Sequence, residues 1–178
     1  MHSILTGERT YFRALEPADL TWLYALENDE TLWDLSDTQK PYSQYQLQKY
    51  IREASKDVYE TKQLRFVLCK TSDHQPLGLF DLFDFDPKNN RATVGLVISN
   101  PLERSQGFGK EGLKLLMNFA RINLRVHQLL ANIAVDNMVS KNLFESLDFE
   151  LVGRKKDWIY NRGVYSDVYL YQYIFKES

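Results

Sequence analysis

The chain has 178 residues, 44% hydrophobic and 26% charged, and its 22 Lys plus Arg against 24 Asp plus Glu leave a net charge of −2. That is the balance of an ordinary globular protein, and it lacks the basic excess expected of a nucleic-acid binder. The single cysteine, Cys69, excludes an intrachain disulfide and argues against a cysteine-built metal site.

The start, Met1 to Arg9, has no apolar run of the secretory kind, and no stretch approaches the ~18 apolar residues of a membrane span, so a cytoplasmic protein with no membrane partner is expected. Thr10–Ala14 reads as a first strand. Pro17 and Asp19 open a helix carrying Leu20, Leu23, Tyr24 and Glu27. An acidic and aromatic loop is predicted from Asn28 through Trp33 to Pro41. Ser43 suits the N-cap of a next helix, whose Leu47, Tyr50 and Ile51 recur at helical spacing.

From Leu64 the pattern changes to strands: Arg65–Lys70, Leu77–Phe85 and Ala92–Ser99, joined by turns at Ser72–Gln75 and Pro87–Asn90, an antiparallel meander. Within it Cys69 reads as core. A helix from Gly107 to about Val126 follows, with Leu113, Leu116, Met117, Ala120 and Leu124 in one apolar stripe. Leu129–Val135 is predicted as a strand, Ser140–Leu147 as a helix, and Phe149–Lys155 and Val164–Phe175 as two last strands. The strand–helix–strand passage from Ala92 to Val135 implies a parallel crossover. With no repeat, linker or low-complexity segment, one domain over residues 1–178 is expected.

The chemistry concentrates where the third meander strand runs into the long helix, at Arg104–Ser105–Gln106–Gly107–Phe108–Gly109–Lys110. Glycines two apart let the backbone approach a phosphate, and the helix-start amides point at it as unpaired donors. Arg104 and Lys110 bracket the loop and offer further positive charge. A Walker loop would need a hydroxyl residue after Lys110, where Glu111 stands. A dinucleotide fingerprint fits Gly107, Gly109 and Gly112 loosely, but it should sit early in an alternating α/β domain and be followed after about 20 residues by an acid; Asp136 lies beyond the next strand. A coenzyme A loop and a plain glycine-rich turn remain.

Arg104–Gly109 resembles the pyrophosphate motif of the GNAT N-acetyltransferases, Q/R-x-x-G-x-G/A. Asn137–Ser140 continuing to Phe144–Phe149 resembles the family's second motif, and Thr6–Leu20 and Gly163–Asp167 are similar to the RimJ/RimL-type and bacterial spermidine acetyltransferase branch. The likeness spans nearly the whole chain. It implies an α/β fold of the α+β type: a mixed, mostly antiparallel twisted sheet flanked by helices, with a splayed cleft between the fourth and fifth strands. It also implies acetyl-CoA as cosubstrate, no metal and direct acetyl transfer to an amine. Unpaired backbone at Val97 and Ile98 would hold the pantetheine arm, Arg104, Ser105, Gln106, Gly107, Phe108, Gly109 and Lys110 the diphosphate, and Asn137, Ser140 and Phe144 the remainder of the cofactor. Many relatives carry, where this chain has Phe144, a tyrosine that protonates the departing thiolate. Phe144 has no proton to give, so Ser140 is the candidate donor by motif position, although a helix-start serine also suits an N-cap. Tyr160, Tyr165 and water are alternatives. Asp148 replaces the usual glycine before Phe149 and needs a tolerable backbone angle there.

For the base, Asp81 stands among apolar neighbours in its strand and could accept an ammonium proton; an acid on the solvent face of an edge strand would look the same. His74 reads as a solvated turn residue and His127 as a core or capping one. Glu27, Asp29, Glu30, Asp34 and Asp37, interleaved with Trp22, Trp33 and Tyr42, suit a cationic acceptor, a polyamine or other small cationic amine, as well as they suit a solvated acidic loop. A peptide acceptor, as in N-terminal acetylation of ribosomal proteins, and a CoA-binding module without turnover are the alternatives. The family also suggests a homodimer.

Overall fold

The computed structural model of the chain describes residues 3–36, 38–161 and 163–176; Asp37, and the side chains of Asp34, Leu35 and Ser36, lie outside the described residues. A seven-stranded sheet in the order β1-β2-β3-β4-β5-β7-β6 organises everything else. Its strands are β1 Thr10–Arg13, β2 Leu64–Lys70, β3 Pro76–Asp86, β4 Arg91–Ile98, β5 Gln128–Ala134, β6 Glu150–Asn161 and β7 Val164–Ile174. Among the described residues only the β4–β5 pair is parallel. The helices are α1 Leu20–Glu27, α2 Glu30–Ser36, α3 Gln44–Glu53, α4 Val58–Thr61, α5 Phe108–Ile122 and α6 Met138–Glu145.

Alternation along the strands sends residues to two cores on opposite sheet faces. Leu68, Phe80, Leu82 and Val94 meet the apolar stripe of α5, Leu113, Leu116 and Ala120, together with Phe144 and Leu147 from the α6 side. Val67, Cys69 and Leu79 point the other way, against Leu23 and Leu26 of α1 and Leu47 and Ile51 of α3. Cys69 is fully buried there, as its sequence context predicts.

Local chemistry accounts for the helix starts. Ser43 caps α3 in a reciprocal capping box with Gln46, the cap expected from the sequence. The segment expected as a loop from Asn28 contains α2: the Asp29 carboxylate accepts from the amide and the hydroxyl of Thr31, at 3.0 and 2.7 Å, which satisfies the first turn of a short helix. The long helix stops at Ile122, short of Val126. Arg125 takes a left-handed φ of 53°, and Leu124 and Val126 are buried from the turn that follows. β6 runs on to Asn161, past the expected Lys155, through a bulge.

Candidate active site

β4 and β5 are joined only where Arg91–Thr93 pairs with Gln128–Leu130. Beyond Thr93 the strands part, while β4 stays bonded to β3 and β5 to β7. The Ser99 amide donates to Leu77 O at 2.8 Å. By the alternation of an antiparallel ladder, Val97 and Gly95 therefore also bond β3, and Leu96 and Ile98 turn their backbone groups toward the parting. The backbone groups expected at Val97 and Ile98 are thus offered at Leu96 and Ile98. The Ile98 carbonyl is already used: Arg104 Nε donates to it at 3.1 Å, tying the loop to the strand it follows.

Because β4 and β5 are parallel, the helices that follow them, α5 and α6, begin at the same end of the sheet, the usual place for a ligand in such an arrangement. Between β4 and α5, Ser105 at φ 60° and Gly107 at φ 88° are both left-handed, a geometry that turns successive amides toward one side. Among the described residues, the amides from Ser105 through Lys110 have no protein acceptor. That row of free donors at a helix start fits a diphosphate. A β-carbon on Gly109 would lie 3.6 Å from Leu143, in the second turn of α6, so the start of α5 packs close to that helix. Ser105, Gln106 and Gly107 are exposed, and the Gln106 side chain donates back to Leu102 O. Phe108 is buried in the α5-side core, so only its amide faces a ligand. Lys110 opens a groove of about 430 Å³ that continues along α5 past Lys114 and Asn118 to Tyr173.

At the start of α6, Asn137 Oδ1 accepts from the Ser140 amide at 3.1 Å. Asn137 is therefore the N-cap, a role the sequence left open for Ser140, and its oxygen is occupied by the helix. The Ser140 hydroxyl makes no hydrogen bond among the described residues and is half-buried. Phe144 is buried edge-on against Phe149, ring centroids 4.9 Å apart. Asp148 adopts the left-handed φ of 62° that its glycine-like position requires, an angle aspartate tolerates. Tyr160 and Tyr165 lie at the far end of the β6–β7 hairpin, exposed, their rings 4.9 Å apart. Lys141, next to Ser140, lies 5.8 Å over the ring of Tyr169, a tyrosine of β7 that the sequence pattern did not single out.

On the α1–α3 face lies a charge cluster that is only partly legible in the sequence. Arg65 forks onto Asp81, its Nε at 2.7 Å from one carboxylate oxygen and Nη2 at 2.9 Å from the other, and its Nη1 donates to Glu27 of α1 at 2.8 Å. The three side chains are each only 16–17% exposed. The Tyr50 ring of α3 lies 5.1 Å from the guanidinium, and burial pushes its hydroxyl up to about 12 despite the cation. Burial opposes the charge on Arg65, but Asp81, then Tyr50 and Glu27, hold it firmly protonated. Asp81 is therefore no acid on a solvent face: both of its oxygens are engaged by Arg65. It sits directly opposite Gly95 of β4, where a β-carbon would reach the Phe83 ring at 3.3 Å. With no side chain at Gly95, the face between Asp81 and the parting strands stays low. Arg65 had a signal in the sequence, a cation inside an otherwise apolar strand, with Asp81 the matching anion in the next.

Of the remaining acids in the predicted cluster, Asp29 is spent on capping α2. Its carboxyl sits below the usual range through the bonds from Thr31, with a further pull from Arg104. Glu30 is exposed. His74 is exposed at φ 60°, its Nδ1 3.1 Å from the Tyr11 hydroxyl, and His127 is exposed and serves through its backbone. Among the described residues no group of His, Cys, Asp and Glu is arranged to hold a metal ion, and no helix is long and apolar enough to cross a membrane.

The model of the acetyltransferase (GNAT) domain family matches residues 9–150. The SPbeta prophage-derived uncharacterized N-acetyltransferase YokL of Bacillus subtilis is 28% identical over 91% of this chain and 88% of its own length. The uncharacterized N-acetyltransferase p20 of Bacillus licheniformis is 24% identical, over 64% of this chain and 63% of its own. Among solved structures, the spermidine N-acetyltransferase from Vibrio cholerae in complex with CoA and spermine superposes with a TM-score of 0.85 at 20% identity, covering 94% of this chain and 96% of that one. A dodecameric structure of that Vibrio cholerae enzyme superposes with a TM-score of 0.78 at 22% identity, covering 94% and 95%. The family match runs from the residue before β1 to the first residue of β6 and takes in the parted strands and the open loop, so the chain belongs to the GNAT family and is an acetyl-CoA-dependent N-acetyltransferase.

Proposed function

We propose that the acceptor is a polyamine or another small cationic amine, acetylated on a primary amine by direct transfer from acetyl-CoA. One observation carries this reading. Two carboxylates, Glu27 and Asp81, face the single guanidinium of Arg65, which leaves one negative charge in surplus in a largely buried cluster opposite Gly95. A charge held away from bulk water acts more strongly on an incoming cation than one on an open surface. That the Vibrio cholerae neighbour is a spermidine N-acetyltransferase solved with CoA and spermine supports the same acceptor class. Its dodecameric form also supports self-association here, at least as a homodimer.

Transfer needs a neutral amine, a polarised thioester carbonyl and a place for the thiolate's charge. The free amides of Ser105–Lys110 hold the diphosphate. The Leu96 amide, turned toward the parting, is placed to donate to the thioester carbonyl oxygen as it gains charge. The Glu27–Arg65–Asp81 cluster draws the ammonium in, and Asp81, directly or through water, accepts its proton. The freed nitrogen lone pair attacks the carbonyl carbon and the C–S bond breaks. The thiolate takes a proton from the Ser140 hydroxyl, which is uncommitted because Asn137 does the capping, and the second proton shed by the nitrogen restores that hydroxyl, directly or through water. Most of the rate then comes from positioning and electrostatics, with no covalent enzyme intermediate.

The test is thiol release from acetyl-CoA with spermidine, spermine and a panel of N-terminal peptides. Polyamines should have a kcat/KM at least about tenfold above any peptide, about 1.4 kcal/mol of transition-state preference. Turnover of peptides alone would overturn the polyamine reading in favour of protein N-terminal acetylation.

A further inference from the structure

Arg9, one residue ahead of β1, is not part of the glycine motif, yet it is built into the cofactor loop. Glu111, in the first turn of α5, accepts from the backbone amides of Arg9 and Thr10 at 2.8 and 3.1 Å, which fixes the start of β1 against α5. The Arg9 guanidinium then reaches over the loop. Its Nη2 donates to the Gln106 carbonyl at 2.7 Å, its plane lies 4.5 Å from the Phe108 ring centroid, and a β-carbon on Gly107 would stand 3.2 Å from it. Lys70, at the end of β2, lies 5.7 Å from the same ring and is paired with Glu103 in the turn before the loop. The Thr71 amide, next to Lys70, donates to the Arg9 carbonyl. A strained stretch, with left-handed Ser105 and Gly107 on either side of Gln106, is thus pinned at its middle carbonyl and at its buried ring by the ends of β1 and β2.

We infer that Arg9 is a positioning residue for cofactor binding: it holds Gln106–Phe108 in the conformation that presents the loop amides to the diphosphate. A cation at the positive end of α5 is unfavourable in isolation. It is sustained here by Glu111, whose second oxygen lies 3.8 Å from Arg9 Nε, and it adds attraction for an arriving diphosphate. Because the bond to Gln106 and the stacking on Phe108 both use the planar fork, lysine cannot reproduce them.

The test compares Arg9→Gln and Arg9→Lys with the parent in three measurements. Calorimetric titration with CoA should show affinity falling about tenfold in R9Q and recovering only in part in R9K. Inhibition by inorganic pyrophosphate should weaken in parallel. Turnover of S-acetylpantetheine, which has no diphosphate, should keep its kcat/KM in both variants, and kcat with saturating acetyl-CoA should hold. Unchanged CoA affinity in R9Q would overturn the inference, as would a parallel loss with S-acetylpantetheine, which marks general damage. Full recovery in R9K would replace positioning by charge alone.

Discussion

The surplus charge of the Glu27–Arg65–Asp81 cluster can be tested by counting. The cluster carries −1 as found. Glu27→Gln and Asp81→Asn each leave one acid against Arg65 and bring it to zero; the double variant leaves Arg65 alone, at +1. For an ammonium seated ~6 Å away at an effective dielectric constant of ~20, each unit of charge is worth on the order of 2–3 kcal/mol. That is roughly 30- to 150-fold in affinity per step. Steady-state kinetics with spermidine should therefore show KM rising by about that factor in either single variant and by about its square in the double, with KM for acetyl-CoA steady throughout. If Asp81 is also the base, Asp81→Asn lowers kcat and Glu27→Gln does not. The double variant should in addition lose about 3–5 kcal/mol of stability, because it strands a cation in a largely buried place. For a chain of this length that is a fall in Tm of roughly 10 °C or more, so its kinetics belong well below that temperature. The reasoning fails if Glu27→Gln leaves the KM for spermidine unchanged, or raises the KM for both substrates alike.

Three further outcomes follow from other parts of the structure. Ser140→Ala should lower kcat about a hundredfold or more, the range usual for general acids, with little change in KM for acetyl-CoA; unchanged kcat in stopped assays would leave the thiolate to water. Gly112→Ala should cost about 1–3 kcal/mol in urea unfolding, because the new carbon would stand 2.6 Å from the Phe80 ring in the α5-side core. Asp19→Asn tests a pH dependence. Burial pushes the Asp19 carboxyl up, but the two bonds from Arg13 at 2.7 Å and the Glu16 amide outweigh it and hold the carboxyl below its ordinary range. Its contribution is thus complete above about pH 4 and disappears as pH falls through the lowered folded-state value. In denaturant unfolding the parent should exceed the variant by about 3 kcal/mol at pH 7, and the gap should close in acid.

The motif at Arg104–Gly109 and the helix that follows could be read from the sequence because glycine spacing and an apolar stripe are local signals. The parting of β4 from β5 came only through family resemblance, since nothing local to Val94–Ile98 says that a neighbouring strand ends its pairing at Leu130. Arg65 and Arg9 were missed for a related reason. Each acts on residues far along the chain, Arg65 on Asp81 and Glu27, Arg9 on Gln106 and Glu111, and charge alone does not say which partner folding will supply. The choice between Ser140 and Asn137 as cap turned on a register of three residues, which side-chain geometry decides and composition does not. α2 escaped notice because seven residues carry too little periodicity to outweigh their polar character. The outer part of β6 was missed because its bulge between Lys155 and Ile159 breaks the alternation that marks a strand.

The closed end of the gap between β4 and β5 works as an apex. There Ala92 and Leu129 lie side by side, 1% and 0% exposed, and the His127 and Gln128 amides both converge on the Asn90 carbonyl. Everything nearer the cofactor diverges from that point, so its angle is set by side chains that touch no ligand. A bulkier residue wedged in at Ala92 would swing the two halves of the sheet apart, and the amide of Leu96 would travel with its strand. The alignment between thioester and amine is thus governed from the bottom of the V, through a joint a few residues long.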